Sequence, residues 1–202
     1  TRYNLLALQN NAGVLLAEKD LAKGHYTEMR LQIACEGADA PEIVIADEAY
    51  PLEVPSGCSS GFKIKADFSI KSDGSTELIM DFDARKSIHE TGNDKYILNP
   101  VVRLIQAKDA GNIIGTVSPI VPRTVVYAFE SGAFAEDNFD NAINSTIVAE
   151  DGSFTLAALP AGTYDLVAAA EGYETAAYLE GVVLDAGENK KIEKPIELTP
   201  AN

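Results

Sequence analysis

The stretch "LPAGTYDLVAAAEGY", residues 159–173, begins a strand in the same way as "LAKGHYTEMRLQI", residues 21–33. Each has a leucine, two residues, a glycine, one residue and a tyrosine before a run that is typical of a strand. Gly24 and Gly162 have no Cβ, which suits the tight bend before a strand. The leucine can then anchor in a core while the tyrosine begins the strand. The repeat therefore predicts two β-domains, each with its own core.

Two segments of the first half alternate between apolar and polar residues, which is the pattern of a strand with one buried face. In the first, one predicted face holds Thr27, Met29, Leu31 and Ile33, and the other holds Tyr26, Glu28, Arg30 and Gln32. In the second, "FKIKADFSIK" at residues 62–71, the following "SDGS" turn predicts a hairpin with residues 76–83, "TELIMDFD". Residues 3–9 and 13–18 are also predicted to be strands.

The second half of the chain holds seven predicted short strands, separated by turns such as Asp151-Gly152. This spacing is typical of a small β-sandwich. The polar stretch "QAKDAGN" before it is the predicted domain boundary. We therefore predict an all-β chain of two consecutive β-sandwich domains, at residues 1–106 and 113–202, joined by a linker at residues 107–112.

The composition limits the classes of function. The 202 residues, 46% of them hydrophobic, allow one or two globular domains. A net charge of −15 with no visible basic patch argues against nucleic acid or an anionic membrane as partner. An acidic surface fits a soluble, exposed protein and would also suit cation binding. No apolar run approaches the length of a membrane span, and the chain starts at Thr1, so we expect any export signal to have been removed or left outside this sequence.

The second half resembles a known family. "AEDGSFTLAALPAGTYDLVAAAEGYE", followed by "GVVLDAGENKKIEKPIEL", is similar to the carboxypeptidase-regulatory-like domain, a transthyretin-like sandwich common in surface proteins. The DG-x-F, LPAG-x-Y and EGY elements occur together and in order, across residues 113–198. The resemblance implies a transthyretin-like or Ig-like fold and an extracellular spacer or binding role. It carries no catalytic residues.

The first half resembles a second family. "LLALQN", "LAKGHYTEMRL", "YPLEVPSG" and "DFDARKSIHETGNDKYILNPVVRLI", within residues 3–105, are similar to the prokaryotic secreted-lipoprotein domain of unknown function number four-three-eight-two. The resemblance implies an exported and usually lipid-anchored protein, without an established activity. Members of this family normally have β-strands before the "LLALQN" segment and a lipid-carrying Cys before those strands. We expect both to be missing here.

The sequence predicts no catalytic residue and no cofactor. The two histidines are His25 and His89, and "HETGN" lacks the second histidine of a metalloprotease motif. No G-x-S-x-G elbow, phosphate loop or dinucleotide fingerprint is present. A Ser-His-Asp arrangement stays open from sequence alone. For His89, between a possible cap and a Gly-containing turn, we expect a structural hydrogen bond.

Cys35 and Cys58 form the single pair of thiols, and in an exported protein two cysteines more often form a disulfide than a catalytic site. Cys35 ends a predicted strand and Cys58 lies in the "PSGCSSG" turn, so the two can meet at one end of the sandwich. We predict a disulfide that contributes about 3 kcal/mol, with two free buried thiols as the alternative.

Two acidic clusters could bind Ca²⁺, which needs six to eight oxygen ligands. The first cluster consists of Asp81 and Asp83, which can pair with Arg85 or Lys86 instead of binding a metal. The second cluster lacks the central Gly and terminal Glu of an EF-hand, so a solvated acidic loop is its alternative. Its candidate ligands are Glu136, Asp137, Asp140 and Asn141.

These observations favour a non-enzymatic structural or adhesive protein, extracellular or at the cell surface. Its expected partners are copies of itself or other surface proteins, with a membrane reached only through a lipid anchor. If the leading strands are absent, a filament that assembles by donor-strand complementation is expected, with the C-terminal "KKIEKPIELTPAN" or an upstream segment as donor. Its apolar residues are Ile192, Pro195, Ile196 and Leu198. The alternative is a monomeric, lipid-anchored accessory lipoprotein that binds a glycan or Ca²⁺, although the low aromatic content of 7% weakens the glycan case.

Overall fold

The computed structural model describes residues 2–201 except residues 56–57, 73, 136–137 and 175–176. The chain divides into two compact units. The first consists of Thr1–Leu5 and Ala17–Ile105, and the second consists of Leu6–Leu16 and Gln106–Asn202. Residues 6–16 therefore pack with the second unit. Strands dominate both units, which confirms the predicted all-β class.

The first unit holds the short helical turns η2 (Gly37–Asp39) and α1 (Ala84–Ser87). Its strands are β1 (Gly24–Leu31), β2 (Glu42–Ile45), β3 (Glu48–Glu53), β4 (Phe62–Ile70), β5 (Leu78–Phe82), β6 (Ile88–Gly92), β7 (Lys95–Leu98) and β8 (Val102–Gln106). Strands β2-β3-β7-β6 form a four-stranded sheet in that order, while β1 pairs with β4 and β5 pairs with β8. Leu52, Tyr96 and Leu98 form the centre of one buried cluster, and Ile64 and Phe68 are buried on β4.

The predicted hairpin between residues 62–71 and 76–83 is wrong. Strand β4 pairs with β1, and β5 pairs with β8. The register between β1 and β4 places apolar residues opposite each other, Leu31 opposite Phe62 and Met29 opposite Ile64. Burial of a shared apolar face fixes the pairing of a strand, whereas a turn sequence shows only where the chain reverses.

The two strands predicted before residue 20 are absent from the structure. Leu5–Leu8 forms a 3₁₀ helix, η1, and residues 13–18 have no regular secondary structure. Apolar content suggested strands there, but a strand needs a neighbour to satisfy its backbone groups. Residues 13–18 have no strand partner among the described residues.

The predicted faces of β1 hold for most of the strand but not for Tyr26. The register between β1 and β4 shifts between Tyr26 and Glu28. This irregularity brings Tyr26 to the side of Met29, and its ring stacks on Phe68 with the centroids 5.2 Å apart and the planes 10° apart. Strict alternation placed Tyr26 on the opposite face because a bulge cannot be seen in a period-two pattern.

After β8, the second unit continues with the 3₁₀ turn η3 (Ala107–Asp109). Its strands are β9 (Gly111–Ser118), β10 (Val125–Glu130), β11 (Asn144–Ile147), β12 (Ser153–Leu159), β13 (Gly162–Ala169), β14 (Ala177–Leu184), β15 (Asn189–Lys191) and β16 (Ile196–Glu197). One sheet has the order β11-β10-β13-β14, and the other has β12-β9-β15 with β16 also paired to β9. The core between them includes Ile113, Val126, Phe154, Leu156, Leu166 and Leu184.

The C-terminal segment is part of this sandwich. Strands β15 and β16 pair in parallel with β9, and Ile196 and Leu198 are buried in the core. Ile192 packs against the same cluster. Donating this segment to another copy would remove two strands from its own sheet, so its role as a donor strand stays a prediction that this pairing does not favour.

The repeated stretches make the same local contact in both units. The Tyr164 hydroxyl donates to the carbonyl oxygen of Pro160 at 2.6 Å, and the Tyr26 hydroxyl donates to that of Ala22 at 2.8 Å. In each case the acceptor lies four residues earlier, across the bend that contains the glycine. A tyrosine that bonds back to the preceding chain fixes the entry angle of its strand, as in the corner of Ig-like sandwiches.

Replacing Tyr164 by Phe is expected to lower the free energy of unfolding of the second unit by about 1 kcal/mol, because the ring stays buried and one hydrogen bond is lost. Thermal unfolding followed by calorimetry measures this. Tyr26→Phe is the matched variant, and its effect is expected to be smaller because its hydrogen bond is exposed. A larger loss for Tyr26→Phe would contradict this account.

Candidate functional site

The "DFDAR" block, which is the most distinctive motif of the first unit, forms a network of charges. Asp81 accepts a hydrogen bond from the Nη2 of Arg103 at 2.6 Å, a partner that the sequence did not predict. Asp83 caps α1 by accepting from the backbone N–H of Lys86 at 3.1 Å. Its carboxylate also lies 3.7 Å from Arg85 Nη2 and 3.9 Å from Lys86 Nζ, which confirms the predicted pairing.

Ser87 extends this network into the interior of the first unit. Its hydroxyl donates to the carbonyl oxygen of Asp83 at 2.5 Å and accepts from the backbone N–H of Val101 at 2.8 Å. Ser87 is fully buried. These bonds tie α1 to the chain that leads into β8, so the block supports the fold.

The predicted Ca²⁺ loop is only partly described. Glu136 and Asp137 lie outside the described residues. Asp140 and Asn141 are exposed, and the backbone N–H of Asp140 bonds to the side chain of Asn138 at 3.0 Å. Within the described part of the chain, no three His, Cys, Asp or Glu side chains are grouped as a metal site would require. Calcium binding by this loop stays a prediction.

The same loop covers an aromatic cluster on the outer face of β10 and β13. The rings of Phe129, Phe134, Phe139 and Tyr127 lie with centroids 4.4 to 6.4 Å apart. Phe129 is fully buried there, together with Val167. This small second core gives the central strands of the sheet two buried faces.

Asp165 anchors the start of this loop from β13. Its carboxylate accepts from the backbone N–H of Gly132 at 2.7 Å, the backbone N–H of Gly181 at 2.9 Å and the Ser131 hydroxyl at 3.3 Å. Asp165 is only 4% exposed. A buried carboxylate is tolerated because these donors replace its water.

A serine, a histidine and an aspartate meet on the polar face of the β1–β4 pair. His25 Nδ1 lies 3.3 Å from the Ser69 hydroxyl, and His25 Nε2 lies 3.6 Å from Asp67 Oδ1. The Asp67 side chain is 91% exposed, whereas a catalytic triad uses a buried carboxylate to orient its histidine. Sequence reasoning missed this group because it did not pair β1 with β4.

Most of the charged side chains on this face are cations. Arg30, Lys63, Lys65 and Lys71 are exposed, and Glu28 accepts from Lys63 Nζ at 3.1 Å and lies 3.3 Å from Arg30 Nε. The hydrogen bond from Lys63, followed by the charges of both cations, lowers the pKa of the Glu28 carboxyl. We call this surface of β1 and β4 the cationic face.

The β1–β4 pair has open edges. Its strands are eight and nine residues long, and within the described chain each pairs only with the other. Unpaired backbone N–H and C=O groups along such edges can bind an added strand. Because the inner face is apolar and the outer face is cationic, these edges are the best candidate interaction site of the first unit.

A short apolar stretch upstream of β1 is exposed. Leu15 is 77% exposed, and Val14 and Leu16 are about half exposed. They lie in residues 13–18, which have no regular secondary structure. Three consecutive exposed apolar side chains mark a segment suited to contact with another chain.

A disulfide joins Cys35 and Cys58, whose Cα atoms are 5.6 Å apart. Two hydrogen bonds hold the same loop against the end of β1. Gln32 Nε2 donates to the carbonyl oxygen of Cys58 at 3.0 Å, and Arg30 Nη1 donates to that of Ser60 at 2.8 Å. The bond closes the loop that precedes β4.

Among the described residues, no helix has both the length and the apolar character that crossing a membrane requires.

His89 lies on β6 with its side chain exposed. Neither histidine therefore lies in a closed pocket of titratable groups.

Comparison with known proteins gives three results. No curated protein matches the sequence. The structure is similar to the minor pilin GBS52 of the gram-positive pathogen Streptococcus agalactiae, with a TM-score of 0.29 and 15% sequence identity, over 68% of this chain. The match spans 65% of the length of that pilin, and a likeness at this level supports no conclusion about function.

The family comparison is specific. Residues 1–100 match the model of a domain of unknown function, DUF4382, and residues 122–198 match the carboxypeptidase regulatory-like domain. Both predicted resemblances are confirmed in the predicted order. The chain therefore carries a DUF4382 domain followed by a carboxypeptidase regulatory-like domain of Ig-like or transthyretin-like fold.

Proposed function

We propose that this protein is a non-enzymatic structural or adhesive component of the extracellular space or cell surface, and that copies assemble into a filament by strand addition. The carboxypeptidase regulatory-like domain supports the surface location. The disulfide supports it as well, because disulfides persist in oxidising compartments.

The open β1–β4 pair is the observation that carries the assembly proposal. A strand added to either edge gains main-chain hydrogen bonds, and its alternate side chains reach the apolar inner face. The half-buried rings and side chains of Tyr26, Met29 and Ile70 would be covered further by such a strand.

The donor proposed here is the exposed stretch at residues 13–18 of another copy. It contains Val14, Leu15 and Leu16 and has no partner strand among the described residues. The C-terminal strands are already used in their own sheet. A contact in which the donor of one copy meets the acceptor of the next does not close on itself, so its repetition gives a filament.

The charges of the two domains favour the same head-to-tail order. Residues 106–202 contain fifteen Asp and Glu but five Lys and Arg. The cationic face of the first domain would therefore be attracted to the second domain of a neighbouring copy. Such attraction steers association and weakens with added salt.

A non-enzymatic role is supported by the exposure of the His25, Asp67 and Ser69 group. Catalysis by such a group needs a site that is shielded from bulk solvent and in which a substrate is held. On the exposed cationic face of β1 and β4, these residues are neither shielded from solvent nor placed in a substrate-holding cleft.

Electron microscopy and sedimentation of the native protein test the assembly. Filaments are expected for the natural sequence and are expected to be lost in Leu15→Asp, because a charge on the donor cannot enter an apolar groove. Val183→Asp changes another exposed apolar residue, on β14, and is expected to leave filaments intact.

Monomers under all conditions for the natural sequence would overturn the filament. They would favour the alternative function, a lipid-anchored accessory lipoprotein that binds a glycan or Ca²⁺. Calcium titration of the same monomers, followed by calorimetry, would then test that alternative directly.

A further inference from the structure

A tight turn at residues 9–12 lies against the sandwich of the second unit. The backbone N–H of Ala12 donates to the carbonyl oxygen of Gln9 at 3.0 Å. Asn10 and Asn11 between them have φ values of 53° and 67°. Asparagine tolerates this left-handed region better than most residues. The turn therefore presents the side chains of Gln9 and Asn10 in a defined direction.

These two side chains bind both main-chain groups of Ile147, the last residue of β11. The backbone N–H of Ile147 donates to Gln9 Oε1 at 2.9 Å, and Asn10 Nδ2 donates to the carbonyl oxygen of Ile147 at 3.1 Å. A neighbouring strand would bond the same two groups in an antiparallel ladder. Gln9 and Asn10 thus substitute for a strand partner.

Asn10 also reaches the edge of the other sheet. Its Oδ1 accepts from the backbone N–H of Thr155 on β12 at 2.9 Å and from the Thr146 hydroxyl on β11 at 3.1 Å. Strands β11 and β12 are the terminal strands of their sheets. One asparagine therefore bridges the two open edges on the same side of the sandwich.

These edges lack the usual protection against pairing with another chain. Exposed edge strands are commonly blocked by lysine, proline or an inward charge. Strand β11, "NSTI", and strand β12, "SFTLAAL", contain neither a charged residue nor a proline. The opposite edges differ, since β15 carries Lys190 and Lys191 and β14 carries Glu180.

We propose that Gln9 and Asn10 form an intramolecular latch, which occupies the pairing groups of β11 and β12 and keeps this edge closed to other copies. When the latch is released, β11 of a second copy pairs with it. Two identical uncharged strands can meet antiparallel without like-charge repulsion, and such a contact closes as a symmetric dimer. Ile147, 40% exposed, would gain cover in that pairing. This inference is independent of the proposed filament.

The test removes the latch side chains while keeping the turn. The variant Gln9→Ala with Asn10→Gly preserves a backbone that tolerates positive φ and deletes all four contacts. Asn11→Gly is the matched control, because Asn11 has the same backbone conformation but contributes no side chain to these four contacts. Amide hydrogen exchange of Ile147 and Thr155 is expected to be about tenfold faster in the double variant and unchanged in the control.

Sedimentation of the same proteins, each also carrying Leu15→Asp so that the proposed filament does not form, tests the second copy. The double variant is expected to form dimers as its concentration rises, whereas the natural chain and Asn11→Gly do not gain them. Adding Ser145→Lys to the double variant is expected to remove the dimer, because it places a charge on β11. Unchanged exchange of both amides would overturn the latch. Faster exchange without a concentration-dependent dimer would overturn the role of the second copy.

Discussion

Replacing Asp165 with alanine is expected to lower the free energy of unfolding of the carboxypeptidase regulatory-like domain by about 4 kcal/mol. The buried carboxylate accepts from the backbone N–H groups of Gly132 and Gly181 and from the Ser131 hydroxyl. Removing it leaves these donors without their acceptor in the interior, and each such buried group costs about 1–3 kcal/mol. The loop over the aromatic cluster would lose its anchor at the same time.

Two variants separate the charge from the acceptor geometry. Asp165→Asn keeps the size and one acceptor oxygen, so its loss is expected to be about half as large. Asp140→Ala removes an exposed carboxylate from the same loop and is expected to change stability by less than about 0.5 kcal/mol. Urea unfolding of the natural chain and the three variants measures the differences. Equal losses for Asp165→Ala and Asp140→Ala would show that the buried contacts are not the cause.

The burial of Asp165 could not be predicted from the sequence. The motif "GTYDLV" was predicted as a strand, and β13 begins at Gly162. In a strand with one buried face, Asp165 would be solvent-exposed because Tyr164 and Leu166 point into the core. The structure buries the second face as well, beneath the loop after β10, whose Phe134 and Phe139 pack with Phe129 and Val167. Alternation cannot report a cover that comes from outside the strand.

Features that depend on adjacent residues, such as turns, could be predicted from the sequence. In the second unit, Asp151 accepts from the backbone N–H and the hydroxyl of Ser153, and Gly152 adopts a φ of 82°. Such turns are encoded by adjacent residues, so six of the seven predicted strands correspond to β9 to β14, whereas the seventh is two short strands, β15 and β16. In the first unit the partner of β4 is β1, and the pairing depends on contacts between distant segments. The latch contacts of Gln9 and Asn10 also join segments that are distant in sequence, and no local motif predicts them.

Replacing both Cys35 and Cys58 with serine is expected to lower the free energy of unfolding of the DUF4382 domain by about 3 kcal/mol. The bond closes a loop with a sequence separation of 23 residues. Cross-linking a loop of this length removes conformational entropy mainly from the unfolded chain, which sets the expected size of the effect. Small domains depend strongly on such constraints because their cores are limited, and the largest buried cluster of the first unit centres on Leu52, Tyr96 and Leu98.

The loss is expected to fall on one domain. The two compact units have separate cores, so calorimetry should show the transition of the DUF4382 domain moving to lower temperature while that of the carboxypeptidase regulatory-like domain stays in place. Reducing the natural chain with dithiothreitol should reproduce the shift, which separates the loss of the bond from the effect of the serine side chains. Because the hydrogen bonds from Gln32 and Arg30 to this loop survive in the variant, the domain should still fold. A shift in the second transition alone would mean that the disulfide is not what stabilises the first domain.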